Sequence, residues 1–338
     1  MRGRRWPMAL LGGVLVLLSH AASTHGQQGL TWTAGAVGGG WYAICGGLAE
    51  LMRDKAGLTI KVVPGGGAQN AVLIQKGEAE IGMGLPPLLQ AAVDGEDPYR
   101  GQKMPDLRGL AGNMILNTVH FYVAADSAFA SMSVEDIIRG KKPIRLAIPR
   151  PGTSDVWLFE KMMRFYGLCN GSRVEDCYRA WQGAGAKFVR GSYADLARAF
   201  KDRNVDGGLM FLGIPADAVT EASQGRALKL LPFSEPLLEH LAELGVEKGA
   251  IPAGTYPKAV NGNEPVITGT MGTTVIVSAK MANDLAYTLT QTLNDNVERV
   301  RKIHITLADY DPAVGYLHLG VPLHPGAERY YREKGYLK

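Results

Sequence analysis

Short apolar segments alternate with amphipathic segments along this chain, and glycine-rich loops join them. The apolar segments have the length and pattern of strands. They lie at residues 30–37, 58–64, 81–85, 144–149 and 205–213. Helical segments follow several of them, as at 193–203, where Ser192 and Asp195 resemble a capping box;. Strands that alternate with helices form parallel sheets covered on both faces. The sequence therefore predicts an α/β fold of doubly wound sheets.

Two longer segments interrupt this alternation and predict two lobes. Residues 107–125 are mostly extended and lack helix caps, and residues 231–270 are rich in proline and glycine. Strand–helix units lie on both sides of 107–125, and 338 residues are more than a single hydrophobic core usually accommodates;. We predict a first lobe from residues 27–121 and 255–338 and a second from 122–254, joined by a double crossover that acts as a hinge. This is a periplasmic-binding-protein-like architecture of type II.

The first 26 residues have the pattern of a secretory signal peptide. Arg2, Arg4 and Arg5 precede an apolar run at residues 8–18, and small residues follow it;. The run is shorter than the roughly 20 residues that a transmembrane helix needs. We therefore expect residues 1–26 to be removed on export and the mature protein to be soluble and to act outside the cytoplasm, in the periplasm if the resemblance described below holds.

The balance of charges excludes some classes of partner. Without the three arginines of the signal, 33 basic residues face 32 acidic ones. A chain this close to neutral is unsuited to nucleic acid or a strongly anionic surface as its main partner. We expect a monomer that binds a small molecule.

Three cysteines occur, at positions 45, 169 and 177. An exported chain can form disulfides, and Cys169 and Cys177 flank a short polar loop, so they either pair or remain two free thiols. Cys45 lies in an apolar helical turn and is interpreted as a small buried hydrophobic residue. The spacings typical of zinc sites do not occur, and we expect no metal.

Loops that leave strands and enter helices are the candidate binding site, because ligands of open parallel sheets lie beyond the carboxyl ends of the strands. Bare backbone N–H groups and the positive end of a helix favour an anion such as a carboxylate. Trp41 and Tyr42 either wall the ligand or pack on the sheet, and Arg150 is either a counter-charge or an exposed loop residue. The candidate ligand-binding residues are Gly38, Gly39, Gly40, Trp41, Tyr42, Gly66, Gly67, Ala68, Asn70, Pro86, Arg150, Gly152, Thr153, Ser154, Gly213 and Pro215.

Motifs of enzymes and of nucleotide binding are missing from the sequence. Gly38, Gly40 and Ala43 approximate a dinucleotide fingerprint, but the next strand ends in Val63-Pro64 without the required acid;. The sequence contains no P-loop, no G-x-S-x-G elbow and no H-E-x-x-H motif;. Asp202 and Asp206 are interpreted as solvated. We therefore expect no catalytic residues and no cofactor.

Several segments together resemble the TAXI solute receptors of TRAP (tripartite ATP-independent periplasmic) transporters, over nearly the whole mature chain. The matching segments are GGGWY at 38–42 with the glycine pair 46–47, GGAQN at 66–70, KGEAEI at 76–81, the Gly-Thr pair at 152–153, the strand and loop at 206–215, and HPGA at 324–327 with Tyr330, Tyr331 and Gly335. The resemblance implies a receptor that traps a small organic acid or amino acid and delivers it to a TRAP-type membrane permease.

This chain also departs from the TAXI pattern. Hydroxyl residues of the first two loops are here Gly40 and Gly67, and a polar run after the third strand is here Leu85-Pro86-Pro87. These losses favour a bulkier or less polar carboxylate. Two other functions are kept as alternatives: a periplasmic ligand-sensing module of a membrane signalling protein, and an exported enzyme.

Overall fold

The computed structural model of this protein describes residues 29–169 and 174–338. The predicted signal peptide at 1–26 lies outside them. Within the described residues, five strands form the first sheet in the order β2-β1-β3-β12-β4. These strands are β1 Leu30–Thr33, β2 Ile60–Val63, β3 Ile81–Gly84, β4 Leu107–Ala111 and β12 Thr274–Ser278.

The second sheet contains seven strands among the same described residues. Their order is β10-β11-β5-β8-β6-β7, and β9 pairs with β5 beside this row. These strands are β5 Leu116–Ala124, β6 Arg145–Pro149, β7 Lys187–Gly191, β8 Gly207–Gly213, β9 Leu228–Leu230, β10 Glu247–Ile251 and β11 Val266–Gly272.

Helices cover both sheets. In the first half of the chain they are α1 Gly40–Ala56, α2 Gln69–Lys76, α3 Pro86–Asp94, α4 Val134–Arg139 and α5 Ser154–Phe165. In the second half they are α6 Val174–Gln182, α7 Tyr193–Lys201, α8 Asp217–Gly225, α9 Glu235–Glu243, α10 Asn283–Asp295, α11 Val297–Ile303 and α12 Pro325–Glu333. The capping box predicted for α7 is present, since Asp195 N donates to Ser192 Oγ and Ser192 N to the Asp195 carboxylate. None of the helices in the described residues is long and apolar enough to cross a membrane.

The predicted two-lobed α/β fold is confirmed, with mixed rather than wholly parallel sheets. β1 pairs in parallel with β2 and β3, and β6 pairs in parallel with β7 and β8. β3 and β8 are buried along their whole length, as expected for inner strands with helices on both faces;. β12 and β5 are antiparallel to the strands beside them. β5 and β12 each begin just after the chain passes from one sheet to the other. Each therefore runs opposite to the neighbouring strands of the sheet that it enters.

The two segments predicted as connections are largely regular structure. Residues 107–125 contain β4 and β5, which belong to different sheets. Residues 231–270 contain α9, β10 and most of β11, so the interpretation of this stretch as one long connection is wrong. Within this stretch β10 pairs antiparallel with β11, and the end of β11 pairs with the start of β5. The crossings themselves are short, at residues 112–115 and at Thr273.

Hydrogen bonds join the two crossings. Thr273 Oγ1 donates to the Ile115 carbonyl at 2.7 Å and accepts from Asn117 Nδ2 at 3.1 Å. The predicted boundaries place residues 116–121 and 266–272 in the first lobe, but these residues pair within the second sheet. From sheet membership we propose that the lobes divide at 112–115 and at Thr273 instead.

Two side-chain contacts within the second lobe bear on interpretations made from the sequence. The Asp206 carboxylate accepts two hydrogen bonds from the Arg145 side chain and one from Arg145 N, so it is an ion-pair partner and not a solvated acid.

Cys169 and Cys177 are joined in a disulfide, with Cα atoms 4.8 Å apart. Cys45 is a buried free thiol, and burial raises its pKa.

Tyr256 connects three distant parts of the second lobe. His120 Nδ1 lies 2.9 Å from the Thr118 carbonyl, which can only accept, so Nδ1 carries the proton and Nε2 accepts from the Tyr256 hydroxyl at 2.7 Å. The same hydroxyl accepts from Ala216 N at 2.7 Å. Burial lowers the pKa of His120 to about 4, so the imidazole is neutral.

Replacing Tyr256 with phenylalanine is expected to reduce the free energy of unfolding by about 2 kcal/mol, because His120 Nε2 and Ala216 N then lose their partner in a buried position. Urea denaturation would measure the change. Tyr336→Phe is the matched control at a residue with 37% exposure, where a change within about 0.5 kcal/mol is expected;. Equal stability of the two variants would contradict this role for Tyr256.

Candidate ligand-binding cleft between the lobes

The loops at the carboxyl ends of β1, β2 and β6 meet between the two lobes and enclose a cavity. Its volume is about 20 Å³, measured for the centre of a water-sized sphere. It is lined by Gly35, Ala36, Gly39, Trp41, Gly66, Gly67, Asn117, Thr153, Ser154, Asp155, Tyr193, Phe211 and Leu212. This is room for about one water molecule, so the lobes must separate for a larger solute to enter.

The lobes touch each other directly across this cleft. The amide nitrogens of Ala68 and Gln69, at the start of α2, donate to the Gly152 carbonyl at 3.3 and 3.1 Å. Lys161 Nζ lies 2.5 Å from the Asp97 carboxylate, which joins α5 of the second lobe to a loop of the first. The structure is therefore the closed arrangement of the two lobes.

Four of the described helices begin around the cleft, two from each lobe. Their N-cap residues are Gly39 for α1, Ala68 for α2, Thr153 for α5 and Ser192 for α7. The first N–H groups of a helix carry a partial positive charge and lack partners within the helix. In the closed arrangement Ala68 N and Gln69 N of α2 already donate to the Gly152 carbonyl, and the Thr153 and Ser192 side chains cap α5 and α7. An anion between the lobes would therefore face the positive ends of the helix dipoles, and direct hydrogen bonds to the N–H groups of α2 would require the contact with Gly152 to open.

The glycines of the first two loops permit the close approach of the second lobe. A Cβ on Gly39 would lie 2.8 Å from the Tyr193 ring, and one on Gly66 would lie 2.7 Å from the Gly152 carbonyl oxygen. Gly38 has φ +83°, which favours glycine, and its Cβ would lie 2.9 Å from Ala194 N;. Gly40 differs, because the nearest atom to its Cβ would be His304 Cε1 at 3.7 Å. Close contact with the second lobe thus explains why Gly38, Gly39 and Gly66 lack a side chain. Gly40 has no such contact, so this reason does not apply to it.

Asn70 holds the second loop in place. Its Oδ1 accepts from Thr33 Oγ1 at 2.8 Å and from Gly66 N at 2.9 Å. Its Nδ2 donates to the carbonyls of Ala34 at 2.7 Å and Met83 at 2.8 Å, with a longer contact to Thr33. Asn70 is fully buried, and these partners use its hydrogen-bonding capacity;. The side chain therefore positions the loop and has no spare group for a ligand.

The cavity wall contains one carboxylate, that of Asp155 at the start of α5. Its Oδ1 accepts from Phe211 N at 2.6 Å and its Oδ2 from the Tyr193 hydroxyl at 2.8 Å. Burial raises the pKa of Asp155 to about 6, although hydrogen bonds from Phe211 N and Tyr193 oppose the shift. Burial, with the nearby Asp155 charge, also raises the pKa of the Tyr193 hydroxyl. Tyr193 is therefore a neutral donor at all ordinary pH values.

Trp41 forms the wall between this cavity and a smaller one. Its side chain has 8% exposure, and its indole Nε1–H finds no hydrogen-bond acceptor among the described residues. The smaller cavity, on the other side, is lined in part by Gly213, Pro215, Asp217 and His304. A buried donor without a partner costs free energy, and an acceptor atom of a bound molecule would satisfy it.

The sequence profile of the NMT1-like family matches residues 32–335, which is nearly all of the described chain. This chain belongs to the NMT1-like family. The match does not distinguish TAXI receptors within or beside that family, so the resemblance to them is part of the proposal below.

Solved structures similar to this NMT1-like protein include transporter components. Iron-bound HitA from Pseudomonas aeruginosa is 15% identical, with 91% of this chain and 98% of that chain covered and a TM-score of 0.48. A putative phosphate ABC transporter substrate-binding protein with bound phosphate, from Clostridium perfringens, is 11% identical, with 82% and 98% covered and a TM-score of 0.47. The substrate-binding protein of an amino acid ABC transporter is 12% identical, with 81% and 95% covered and a TM-score of 0.43.

Six of the residues predicted from the sequence line the cavity of this NMT1-like protein. They are Gly39, Trp41, Gly66, Gly67, Thr153 and Ser154. Gly38 and Gly152 lie beside it in the contact between the lobes, and Ala68 lies there as the N-cap of α2. Tyr42 is half-buried against the core of the first lobe.

The other predicted residues lie away from the cavity. Gly213 and Pro215 line the smaller cavity beyond Trp41. Pro86 packs against the C-terminal segment, where a Cβ on Gly320 would meet its backbone at 2.1 Å. Arg150 is exposed and lines an open groove of about 490 Å³ that shares Ala36 and Thr153 with the cavity. Because these two residues join it to the cavity, we interpret this groove as the outer mouth of the cleft.

Sequence reasoning missed Asp155, Tyr193 and Asn117 in the cavity wall. Asp155 follows directly after three predicted residues in the segment PGTSD, so a signal for it was present. Tyr193 and Asn117 carry no such local signal, because each reaches the cavity from a strand or helix whose neighbours are distant in the sequence.

Proposed function

We propose that this NMT1-like protein is an extracytoplasmic solute receptor. Its lobes separate about the two crossings, admit a small organic anion, either a carboxylate or an amino acid, and close over it. Closure would be stabilised only to the extent that the solute binds the closed form better than the open one. The observation that carries the proposal is the convergence of helix N-termini from both lobes on one cleft, which suits a negatively charged solute.

Arg150 is assigned a role in attracting the solute. It is exposed at the mouth of the cleft and does not line the cavity. An exposed positive charge at an entrance raises the local concentration of anions and the rate of association. The final contacts would come from backbone N–H groups and from the Trp41 indole.

Binding without covalent chemistry is part of the proposal. The described lining of the cavity contains no histidine, lysine or cysteine that could activate the hydroxyls of Thr153 or Ser154;. Both oxygens of Asp155 already accept hydrogen bonds from Phe211 N and the Tyr193 hydroxyl. We propose that the receptor acts as a monomer in the periplasm and delivers its solute to a TRAP-type membrane permease. The resemblance of the sequence motifs to TAXI receptors supports that partner.

A thermal-shift screen of the protein without residues 1–26 tests the binding role. Organic acids and amino acids are expected to raise the melting temperature, and neutral sugars and polyamines are expected to leave it unchanged. A solute present at 100 times its dissociation constant would stabilise the protein by roughly 2.7 kcal/mol. A shift with neutral or cationic solutes alone would contradict the anion proposal. The permease is tested separately, since vesicles containing a TRAP-type permease should take up the solute only when this protein is added.

A further inference from the structure

The buried carboxylate of Asp155 is unexpected in the wall of a site that holds an anion. Asp155 has 0% exposure and both of its oxygens accept hydrogen bonds, from Tyr193 and Phe211. Both partners also line the cavity. The carboxyl group therefore stands at the cavity wall, and any solute enclosed here lies close to it.

The surroundings of Asp155 hold no positive side chain that could offset a second negative charge. Among the described lining residues, Asp155 and Tyr193 alone have titratable side chains. Phe211, on β8, contributes only its backbone N–H. Arg150, on the loop before α5, and Asp195, on α7, line the outer groove and not the cavity.

The remaining charges near α5 and Trp41 lie outside the cavity. Glu160, on α5 itself, lines another groove with Asp97 and Arg100 of the first lobe, and this groove shares Thr153 with the cavity. Burial, with the nearby Asp97 charge, raises the pKa of Glu160 to about 7, so Asp155→Asn is needed to assign the proton uptake to Asp155. His304 and Asp217 lie in the smaller cavity on the other side of Trp41. None of these groups is part of the described cavity wall.

Two ionised carboxylates in one small, buried cavity repel each other strongly. In such pairs one carboxyl group keeps its proton and donates a hydrogen bond through it to the ionised carboxylate. A protonated carboxyl group in an apolar site can serve as a hydrogen-bond donor to a negatively charged ligand. Burial already favours the neutral form of Asp155 in the closed arrangement.

We propose that Asp155 binds the solute in its protonated form, so that each anion is enclosed together with one proton taken from solvent. The Asp155 O–H would donate to an oxygen of the solute, while the other Asp155 oxygen keeps its hydrogen bond from Tyr193 or Phe211. This inference rests on the proposed function and adds a regulation of the same site by pH.

The direction of the pH effect follows from the proton balance. Enclosure raises the affinity of Asp155 for its proton, so binding takes up a proton wherever Asp155 is ionised in the free protein. Affinity for an anion should therefore increase as pH falls, by up to tenfold per pH unit, and level off below the pKa that Asp155 has in the open, solute-free protein, where the group is already protonated.

Calorimetric titration tests the proposal, with pyruvate and L-glutamate as probes because their carboxyl groups stay ionised between about pH 5.5 and 8. At about pH 7, titrations in PIPES and in imidazole, which differ in ionisation enthalpy, give the number of protons exchanged. We expect uptake of close to one proton per solute bound by the unmodified protein, and this measurement does not depend on any variant. Binding without proton uptake would overturn the inference and leave the proposed function standing.

Asp155→Asn gives a second measurement, because the asparagine amide donates a hydrogen bond at every pH. We expect this variant to bind the probes with an affinity that does not change between about pH 6 and 8 and with no proton uptake. Asp202→Asn, the same change at an exposed carboxylate of the same lobe, should keep the pH dependence. Loss of binding in Asp155→Asn, with no proton uptake by the unmodified protein, would show that ionised Asp155 pairs with a solute ammonium group and would overturn the proposal. If neither probe nor any other organic anion binds at any pH, the proposed function itself fails.

Discussion

Replacing Gly66 with alanine is expected to weaken solute binding roughly tenfold or more while leaving both lobes folded. The new Cβ would lie 2.7 Å from the Gly152 carbonyl oxygen and 3.2 Å from Thr153 Cα. Both are backbone atoms of the other lobe, so the clash can be relieved only by holding the lobes apart. Overpacking of this kind costs about 1–3 kcal/mol, and each 1.4 kcal/mol is tenfold in affinity. The cost falls on the closed form alone.

Affinity measured by calorimetry and compactness measured by small-angle scattering would test this result together. The Gly66→Ala protein should remain extended on addition of a solute that compacts the unmodified protein. Gly46→Ala is the matched control in the same lobe, since nothing lies within 4 Å of a Cβ there. Normal affinity in Gly66→Ala would show that the contact between Gly66 and Gly152 is not needed for closure.

Replacing Asn70 with alanine is expected to destabilise the first lobe by at least about 3 kcal/mol. The change leaves the Thr33 hydroxyl, Gly66 N and the carbonyls of Ala34 and Met83 without partners in a buried region. Each such group costs about 1–3 kcal/mol, and relaxation or entering water recovers part of the sum. The loop at residues 64–68 would lose its anchor to β1 and β3, so solute affinity should fall as well.

Urea denaturation of Asn70→Ala measures the loss of stability. Gln69→Ala is the matched control, because Gln69 is the exposed neighbour on the same helix and should change stability by no more than about 0.5 kcal/mol;. If Asn70→Ala were as stable as this control, Asn70 would have no role as the anchor of the loop.

The alternation of strands and helices could be predicted from the sequence because it depends on residues close together in the chain. α7 is an example, since Ser192 and Asp195 form its capping box within four residues. β11 could not be predicted in the same way. Its segment VITGTMG has glycines and threonines at positions that pair with β10 and β5, and the strand exists because of that pairing. Val266, Ile267 and the threonines favour a strand, but the glycines between them and Pro265 before them are equally typical of a connection;.

The candidate site, too, could be predicted only in part from the sequence. Glycine-rich starts of helices are visible in the sequence, and six of the predicted residues line the cavity. What the glycines contact was decided by the tertiary structure, because Gly39 and Gly66 meet Tyr193 and Gly152 from the other lobe. The sequence alone suggested close approach of a ligand at these positions.

The sequence by itself determined a two-lobed α/β chain whose strands lead through bare backbone loops into helices, because strand length, helix caps and glycine turns are local properties. Only the tertiary structure decided which strands share each sheet and which side chains share the cavity. Asp155 shows the reason: its partners Tyr193 and Phe211 lie 38 and 56 residues further along the chain. Its burial, its raised pKa and its place in the cavity wall arise only when α5, α7 and β8 come together.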